Sequence, residues 1–222
     1  MKSYATRILD CAVIPMLAKS KGDLLDFGCG TVPYYLHYAN YVKSVTLADI
    51  IETPSEAGNF IAADANSPLP FANERFDTIL ATEVFEHIKN PSLLIKEFFR
   101  ILRPEGVVII SVPFIYPLHE IPNDFWRYTS FGLKQLVVEA GFEADAIYQV
   151  GTIISILVDY LDKLFSRVIF KRKKRVTSFI SNLLFRLTKY NHRKLEIGKQ
   201  QNSIKNSYAL GYIILCRKPT NG

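Results

Sequence analysis

Two polar clusters in this sequence carry groups that could move a proton or hold a cation. The first is Glu83, Glu86 and His87, an E-x-x-E-H pattern. On a helix, positions i, i+3 and i+4 share one face, so the pattern predicts that the three side chains converge. Two carboxylates and an imidazole together can bind a divalent cation that orients and acidifies a hydroxyl. They can also do plainer work, with Glu83 bordering a ligand pocket while Glu86 and His87 cap and hydrogen-bond locally. Spacing alone does not call for a metal; Glu83, Glu86 and His87 are the set that would hold one. The second cluster is the polar-aromatic stretch from Pro113 to Thr129, with His119, Asp124 and Arg127. An imidazole titrates near neutrality, so His119 is the candidate general base. Asp124 could assist it or bind an acceptor. Arg127 could hold an anionic group or close a salt bridge to Asp124. Phe125 and Trp126 are expected in the core or a pocket wall.

A third feature concerns binding. Asp26-Phe-Gly28-Cys-Gly30-Thr31 lies where a strand should end and a helix begin. Glycines let the backbone turn tightly and approach a ligand closely. A dinucleotide fingerprint would need a third glycine at position 33, which is Pro33, so a pyrophosphate cradle and a dehydrogenase are disfavoured. Asp49 closes the next strand 21 residues after Gly28. A carboxylate there can accept both hydroxyls of a ribose.

These residues need a scaffold, and the sequence alternates strand-like and helix-like runs from about Gly22. The strands expected are 23–27, 44–48, 59–63, 76–81 and 106–112, with a helix over 91–102 ending at Pro104-Glu-Gly106. A helix over 131–140, a sixth strand over 142–150 and a final strand over 208–216 follow. Strands alternating with helices imply βαβ units and a parallel sheet. Cys11 to Ala18 reads as part of an amphipathic helix leading into the first strand, a poor match to a signal peptide. The 222 residues suit one domain with a sizeable insertion. Cys11, Cys29 and Cys216 fall in no metal or redox spacing, which suits a reducing cytoplasm.

Taken together, Leu25-Asp-Phe-Gly-Cys-Gly-Thr31 and Asp49 resemble the first motif and ribose-binding acid of the class I S-adenosylmethionine (SAM)-dependent methyltransferases. Asp64-Ala65 resembles that family's adenine-holding segment. Phe76 to His87, with Thr82 at the pocket border, resembles its fourth motif, and Leu102-Arg-Pro-Glu-Gly106 the turn before its fifth strand. The resemblance implies a Rossmann-like α/β fold: a mostly parallel seven-stranded sheet, an antiparallel last strand and a helical insertion before it. It divides the chain into a core over 1–150, an insertion over 151–206 and a closing strand within 207–222. The cofactor-binding residues it implies are Asp26, Gly28, Gly30, Asp49, Asp64, Ala65 and Thr82; His119, Asp124 and Arg127 are the catalytic candidates.

The E-x-x-E-H pattern is similar to that of ubiquinone-pathway and small-RNA 2′-O-methyltransferases, where a further histidine helps hold a metal; the likeness makes His119 the candidate fourth ligand. The loop P-F-x-Y-P-x-H-E-x-P-x-D-F-W-R-Y-T resembles a bacterial methyltransferase subgroup associated with cell-surface glycan assembly. These likenesses imply methyl transfer to an oxygen, or less readily a nitrogen, of a small-molecule, sugar or lipid-linked acceptor. The alternative is a SAM-binding regulatory or scaffold subunit without catalysis.

Charge adds a question about location. From Lys163 to Leu195 there are eleven Lys and Arg and no Asp or Glu; the remaining 16 basic and 21 acidic residues leave the rest at −5. Around Lys171-Arg-Lys-Lys-Arg175 lie two helical stripes, Ile153 to Val168 and Val176 to Tyr190. Residues 151–195 could therefore lie on an anionic membrane, fold over the site as a lid, or pack as a helical hairpin. Nucleic acid is disfavoured because the basic run lacks interleaved aromatics. The chain is expected in the cytoplasm, with a peripheral membrane contact as one option, and no uncharged run reaches the ~18 residues of a membrane span.

Overall fold

The computed structural model describes residues 2–52, 55–164, 182–186 and 208–220. Seven strands form one sheet: β1 (Asp23–Phe27), β2 (Ser44–Asp49), β3 (Asn59–Ala62), β4 (Phe76–Thr82), β5 (Leu102–Pro113), β6 (Glu143–Val150) and β7 (Gly211–Arg217). Their order is β3-β2-β1-β4-β5-β7-β6, and β7 runs antiparallel to both neighbours. The mostly parallel sheet with an antiparallel last strand is as expected. Two boundaries move: the last strand starts at Gly211 rather than at Tyr208, and Leu102 to Gly106 belongs to β5 rather than to a free turn. Leu102 pairs with Phe76 and the register shifts between Phe76 and Thr78, which absorbs the Pro104-Glu-Gly106 kink.

Alternate strand residues feed two cores because both faces of the sheet are covered. On one face Leu25, Ile79, Val108, Ile110 and Ile214 pack against α3 (Pro91–Ile101) and α4 (Ser130–Glu139). On the other, Leu24, Leu80, Ile109 and Ile213 meet α1 (Tyr4–Leu17). Helix α3 starts where Asn90 accepts a bond from Leu93 N–H with Pro91 in the first turn, and Thr129 caps α4 likewise. Full burial of Leu94, Ile95, Phe98 and Ile101 on α3 stabilises the fold by roughly 1.5–3 kcal/mol per side chain.

Helix α5 (Ile153–Leu164) is turned opposite to what its apolar stripe suggests. It buries Asp159 and Asp162, while Ile153, Leu157, Tyr160, Leu161 and Leu164 stay exposed among the described residues. The reason lies at the start of α1. Its free backbone N–H groups need acceptors: Tyr4 N–H donates to Asp162 Oδ2 at 3.4 Å and the Ala5 amide to Asp159. Residues 182–186 are helical and also contact α1, with Arg7 Nη1 donating to Asn182 Oδ1 at 2.7 Å. The basic run 171–175 and most of the second stripe lie outside the described residues. No helix among the described residues is long and apolar enough to cross a membrane.

Candidate functional site

The chain reverses its direction of travel across the sheet between β1 and β4, and ligands of such sheets lie outside the carboxyl ends of the strands there. The glycine turn leaves β1 at that edge. Gly28 has φ +66° and Gly30 φ +48°, and a Cβ on Gly28 would sit 2.4 Å from Val84 Cγ2. A Cβ on Gly30 would meet nothing within 4 Å. Gly28 is thus needed by the fold, whereas Gly30 faces open space that a ligand can use. We expect Gly28→Ala to lower Tm, and Gly30→Ala to keep most of the stability, at about 1–2 kcal/mol of backbone strain, while obstructing the ligand. Thermal melts beside cofactor titrations check this; equal stability losses would contradict it.

Asp49 ties the turn to the end of β2. Its Oδ2 accepts from Gly30 N–H at 3.0 Å and its Oδ1 from Ile50 N–H at 2.7 Å, leaving lone pairs for a ribose. Asp64 is exposed and accepts from Asn66 N–H at 2.9 Å, while Ala65 is buried beside it. Thr82 ends β4 opposite Ser111. The residues present fit SAM: a glycine turn open at Gly30, a carboxylate with lone pairs to spare and a small apolar wall. They do not make a pyrophosphate cradle, because α2 spans only Tyr35–Tyr38 and starts well after the turn.

Asp26 plays a different part from the rest of this set. It is 3% exposed and accepts from Tyr38 Oη at 2.8 Å, so it braces the turn from behind. Burial pushes its carboxyl up to about 7, against the Tyr38 bond and with help from the Asp49 charge. Between 3.8 and about 7 the folded chain therefore holds a proton that the unfolded chain gives up. Stability must fall as pH rises through that window. Asp26→Asn is expected to flatten that slope in urea unfolding at pH 4.5 and 7.5; parallel behaviour would contradict the assignment.

The E-x-x-E-H residues do not share a helix face. Glu83 has φ +55°, a left-handed backbone that breaks any helix, and only Phe85–His87 form a 3-10 turn. Glu83 turns to β5, accepting from Ser111 Oγ at 2.9 Å while its own N–H donates to that hydroxyl at 3.1 Å. Glu86 is 0% exposed, and neither carboxylate oxygen has a hydrogen-bond partner among the described residues. Burial first, and the neighbouring Glu83 second, push its carboxyl up to about 9; burial also raises Glu83 to about 7.

The loop over 113–129 clamps onto this turn. Phe125 and Trp126 N–H donate to Glu86 O at 2.8 and 3.2 Å, and Trp126 Nε1 donates to Ile88 O at 2.8 Å. His87 Nδ1 lies 2.6 Å from Asn123 O, a group that can only accept, so the Nδ1 proton is fixed. His119 Nε2 stands 3.8 Å from Glu86 Oε1, and His87 Nε2 3.6 Å from the same atom. One ligand atom from each of Glu86, His87 and His119 lies within 4.8 Å of the others; Glu83 is outside that group.

Arg127 resolves in favour of the salt bridge. Its Nη1 and Nη2 donate to Asp124 Oδ1 and Oδ2 at 2.6 and 2.7 Å, a two-pronged pair. Arg127 holds the Asp124 carboxyl well below the usual carboxylate range. Asp124 Oδ2 also accepts from the His119 backbone N–H at 2.9 Å and lies 3.2 Å from His119 Nδ1, close but out of line for a hydrogen bond. Asp124 therefore positions His119, and Arg127 positions Asp124 rather than an outside anion. Phe125 and Trp126 are both at least 40% exposed, so they belong to the surface of the loop and not to the core. Glu120, 3.7 Å from His87 Nε2, and Ser111 complete the site. Ser111 was signalled only as a hydroxyl in an otherwise apolar strand.

Comparison with known proteins is consistent with this geometry. Residues 25–110 match a family model described as a methyltransferase domain. An uncharacterized methyltransferase of Mycolicibacterium vanbaalenii is 37% identical over 99 residues, 40% of this chain and 38% of that protein. The matches cover well under half the length of the curated relatives. Among solved structures, the cyclase SpnF superposes with TM-score 0.62 at 20% identity, over 95% of this chain and 81% of that one. A Burkholderia thailandensis 1,6-didemethyltoxoflavin N1-methyltransferase, with its substrate and S-adenosylhomocysteine bound, gives TM-score 0.59 at 16% identity over 96% and 77%. Such identities establish the fold, and the fold alone hosts more than one reaction.

Proposed function

We propose that this chain is a SAM-dependent methyltransferase acting on a hydroxyl acceptor. The observation that carries the reading is that two sites share one edge of the sheet. The glycine–Asp49 crevice and the Glu86–His119 cluster both stand at the carboxyl ends of β1, β2, β4 and β5, in the segment that matches a methyltransferase domain and the loop beyond it. Bound SAM supplies a methyl group on a sulfonium, ready for in-line transfer. Asp49 would hold the ribose, the Gly28–Gly30 turn would let the backbone approach, and Ala65 would wall the adenine. Near the reacting end, His119 Nε2 would take the acceptor's proton, with Asp124 Oδ2 holding the residue through its backbone N–H at 2.9 Å. A scaffold subunit would need none of this polar machinery. The test is a screen of sugars, lipid-linked sugars and small phenols with methyl-labelled SAM. The reading expects label in an O-methyl product and its loss in His119→Asn.

The proposal extends to an acceptor with an apolar tail, handled at an anionic membrane surface. Helix α5 turns Ile153, Ile154, Leu157, Tyr160, Leu161 and Leu164 outward, 43–58% exposed among the described residues. Its Lys163 Nζ lies 3.9 Å from the Tyr116 ring centroid, and that ring meets His119 edge-on at 5.3 Å. The stripe thus ends one ring away from the proposed base. Each Lys or Arg of the adjoining basic segment would add ~1 kcal/mol at an anionic surface. The chain is expected to float with anionic vesicles, and Leu157→Glu with Leu161→Glu to reduce the floated fraction. Wild-type protein that stays at the bottom of the gradient would contradict this part.

A further inference from the structure

We propose that Glu97 and Arg100, a pair on α3 away from the methyl-transfer groups, position the Asp64–Ala65 turn and thereby set the site's preference for an adenine base. The inference deepens the methyltransferase reading and rests on it. Residues 63–75, between β3 and β4, form no helix or strand, and Pro68 and Pro70 bring no N–H of their own. The backbone groups that remain need partners from outside the segment, and one turn of α3 supplies them. Leu69 N–H donates to Glu97 Oε2 at 2.7 Å. Arg100 Nη2 donates to Leu69 O at 3.1 Å, and its Nη1 to Phe71 O at 2.7 Å and Asn73 Oδ1 at 2.9 Å. The i, i+3 spacing puts the pair on one helix face, where Arg100 Nε and Nη2 donate to Glu97 Oε1 and Oε2 at 2.8 and 2.6 Å. One planar guanidinium thus grips the loop at Leu69, Phe71 and Asn73, and orients the carboxylate that grips it again.

The clamp matters to the site because of what hangs between it and Asp49. Ala63 N–H donates to Asp49 O at 3.0 Å, which ties one end of the turn to the proposed ribose residue. Ser67 N–H donates to Asp64 O at 3.1 Å and Asn66 N–H to Asp64 Oδ1 at 2.9 Å, so residues 64–67 form one tight unit. Leu69 is buried in one cluster with Ala63 and Ala65 and leads directly into the clamp. The turn is therefore suspended between Asp49 on one side and Glu97 with Arg100 on the other. The clamp fixes how far the wall for the base stands from the acid for the ribose.

That separation decides which base is preferred. The exposed Asp64 carboxylate can accept from the exocyclic amino group of adenine, whereas the oxo group of hypoxanthine would meet it lone pair to lone pair. Such a preference needs a turn that holds its place. A loop released from Arg100 would shift to accommodate either base, and would also have to be ordered at the expense of binding.

The experiment titrates the full chain calorimetrically with S-adenosylhomocysteine and with S-inosylhomocysteine, whose bases differ as amino against oxo. Wild type is expected to prefer the adenine ligand by at least ~10-fold, the effect of one hydrogen bond to a charged acceptor. Arg100→Leu should weaken S-adenosylhomocysteine about 10-fold and bring the two ligands within about threefold of each other. Arg100→Lys keeps the charge beside Glu97 but not the fork, and should fall between. A purely structural role would act through the folded fraction, which lowers both affinities by one factor and leaves their ratio unchanged. A wild-type ratio in Arg100→Leu, or no preference in wild type, overturns the inference while cofactor binding stands. Should Arg100→Leu fail to fold, Arg100→Lys and Asn73→Ala decide in its place, and a wild-type ratio in both overturns it. Failure of wild type to bind S-adenosylhomocysteine at all would instead remove the methyltransferase reading beneath it.

Discussion

Asp49→Ala is expected to weaken SAM and S-adenosylhomocysteine binding by at least 100-fold in calorimetric titration. A ribose presents two hydroxyls, and hydrogen bonds to a charged acceptor contribute about 1.5–3 kcal/mol each. Losing both therefore removes at least ~3 kcal/mol, and 1.4 kcal/mol is tenfold in affinity. The carboxylate does more than wait for a ligand. It already accepts from Gly30 N–H and Ile50 N–H, so it fixes the glycine turn to the end of β2. Alanine removes both the contact and the brace. Asp49→Asn keeps one carbonyl acceptor and should fall between the two. Both bonds lie at the exposed rim, so Tm should drop by only a few degrees, which separates lost binding from lost fold. Unchanged affinity in Asp49→Ala would remove the ribose assignment.

Arg127→Ala is expected to be the more damaging change to the protein itself. The Asp124 side chain is 2% exposed, and Arg127 neutralises it through two short bonds. Removing one partner of a buried pair leaves an uncompensated charge and costs about 3–5 kcal/mol. For a chain of this size that corresponds to roughly 6–20 °C of Tm. Catalysis should fall as well, because Asp124 positions His119 through the backbone N–H and beside the ring. Lysine restores charge without the planar fork, so Arg127→Lys should recover part of the stability. The double variant Arg127→Met with Asp124→Leu should recover most of the stability and little of the activity, since well-packed apolar pairs can replace an ion pair energetically. A single Arg127→Ala variant as stable as wild type would show that the pair contributes nothing.

The strands and the glycine turn could be read from the sequence because burial on both faces leaves continuous apolar runs, as in Ile79-Leu-Ala81 and Val107-Val-Ile-Ile110. The place of Asp49 beside the glycine turn was legible from its distance to Gly28. The cluster was legible in membership but not in shape. Spacing placed Glu83 with Glu86 and His87 on a helix, and a single left-handed residue at Glu83 sent it to Ser111 instead. Left-handed backbone at a glutamate has no periodic signature and is typical of sites that hold strain. Arg127 carried two readings because its spacing to Asp124 permits pairing without requiring it. The stripe on α5 was visible, but its direction was not, because Asp159 and Asp162 answer to the start of α1, some 155 residues earlier.

We propose that the glycine–Asp49 crevice and the Glu86–His119 cluster are two halves of one methyl-transfer site. A crystal structure of the full chain with S-adenosylhomocysteine tests it without knowledge of the acceptor. Both ribose hydroxyls are expected on Asp49, adenine against Ala65, and the sulfur directed toward the space between Glu86 and His119. A ligand bound elsewhere, or one whose sulfur faces away from that cluster, would contradict it.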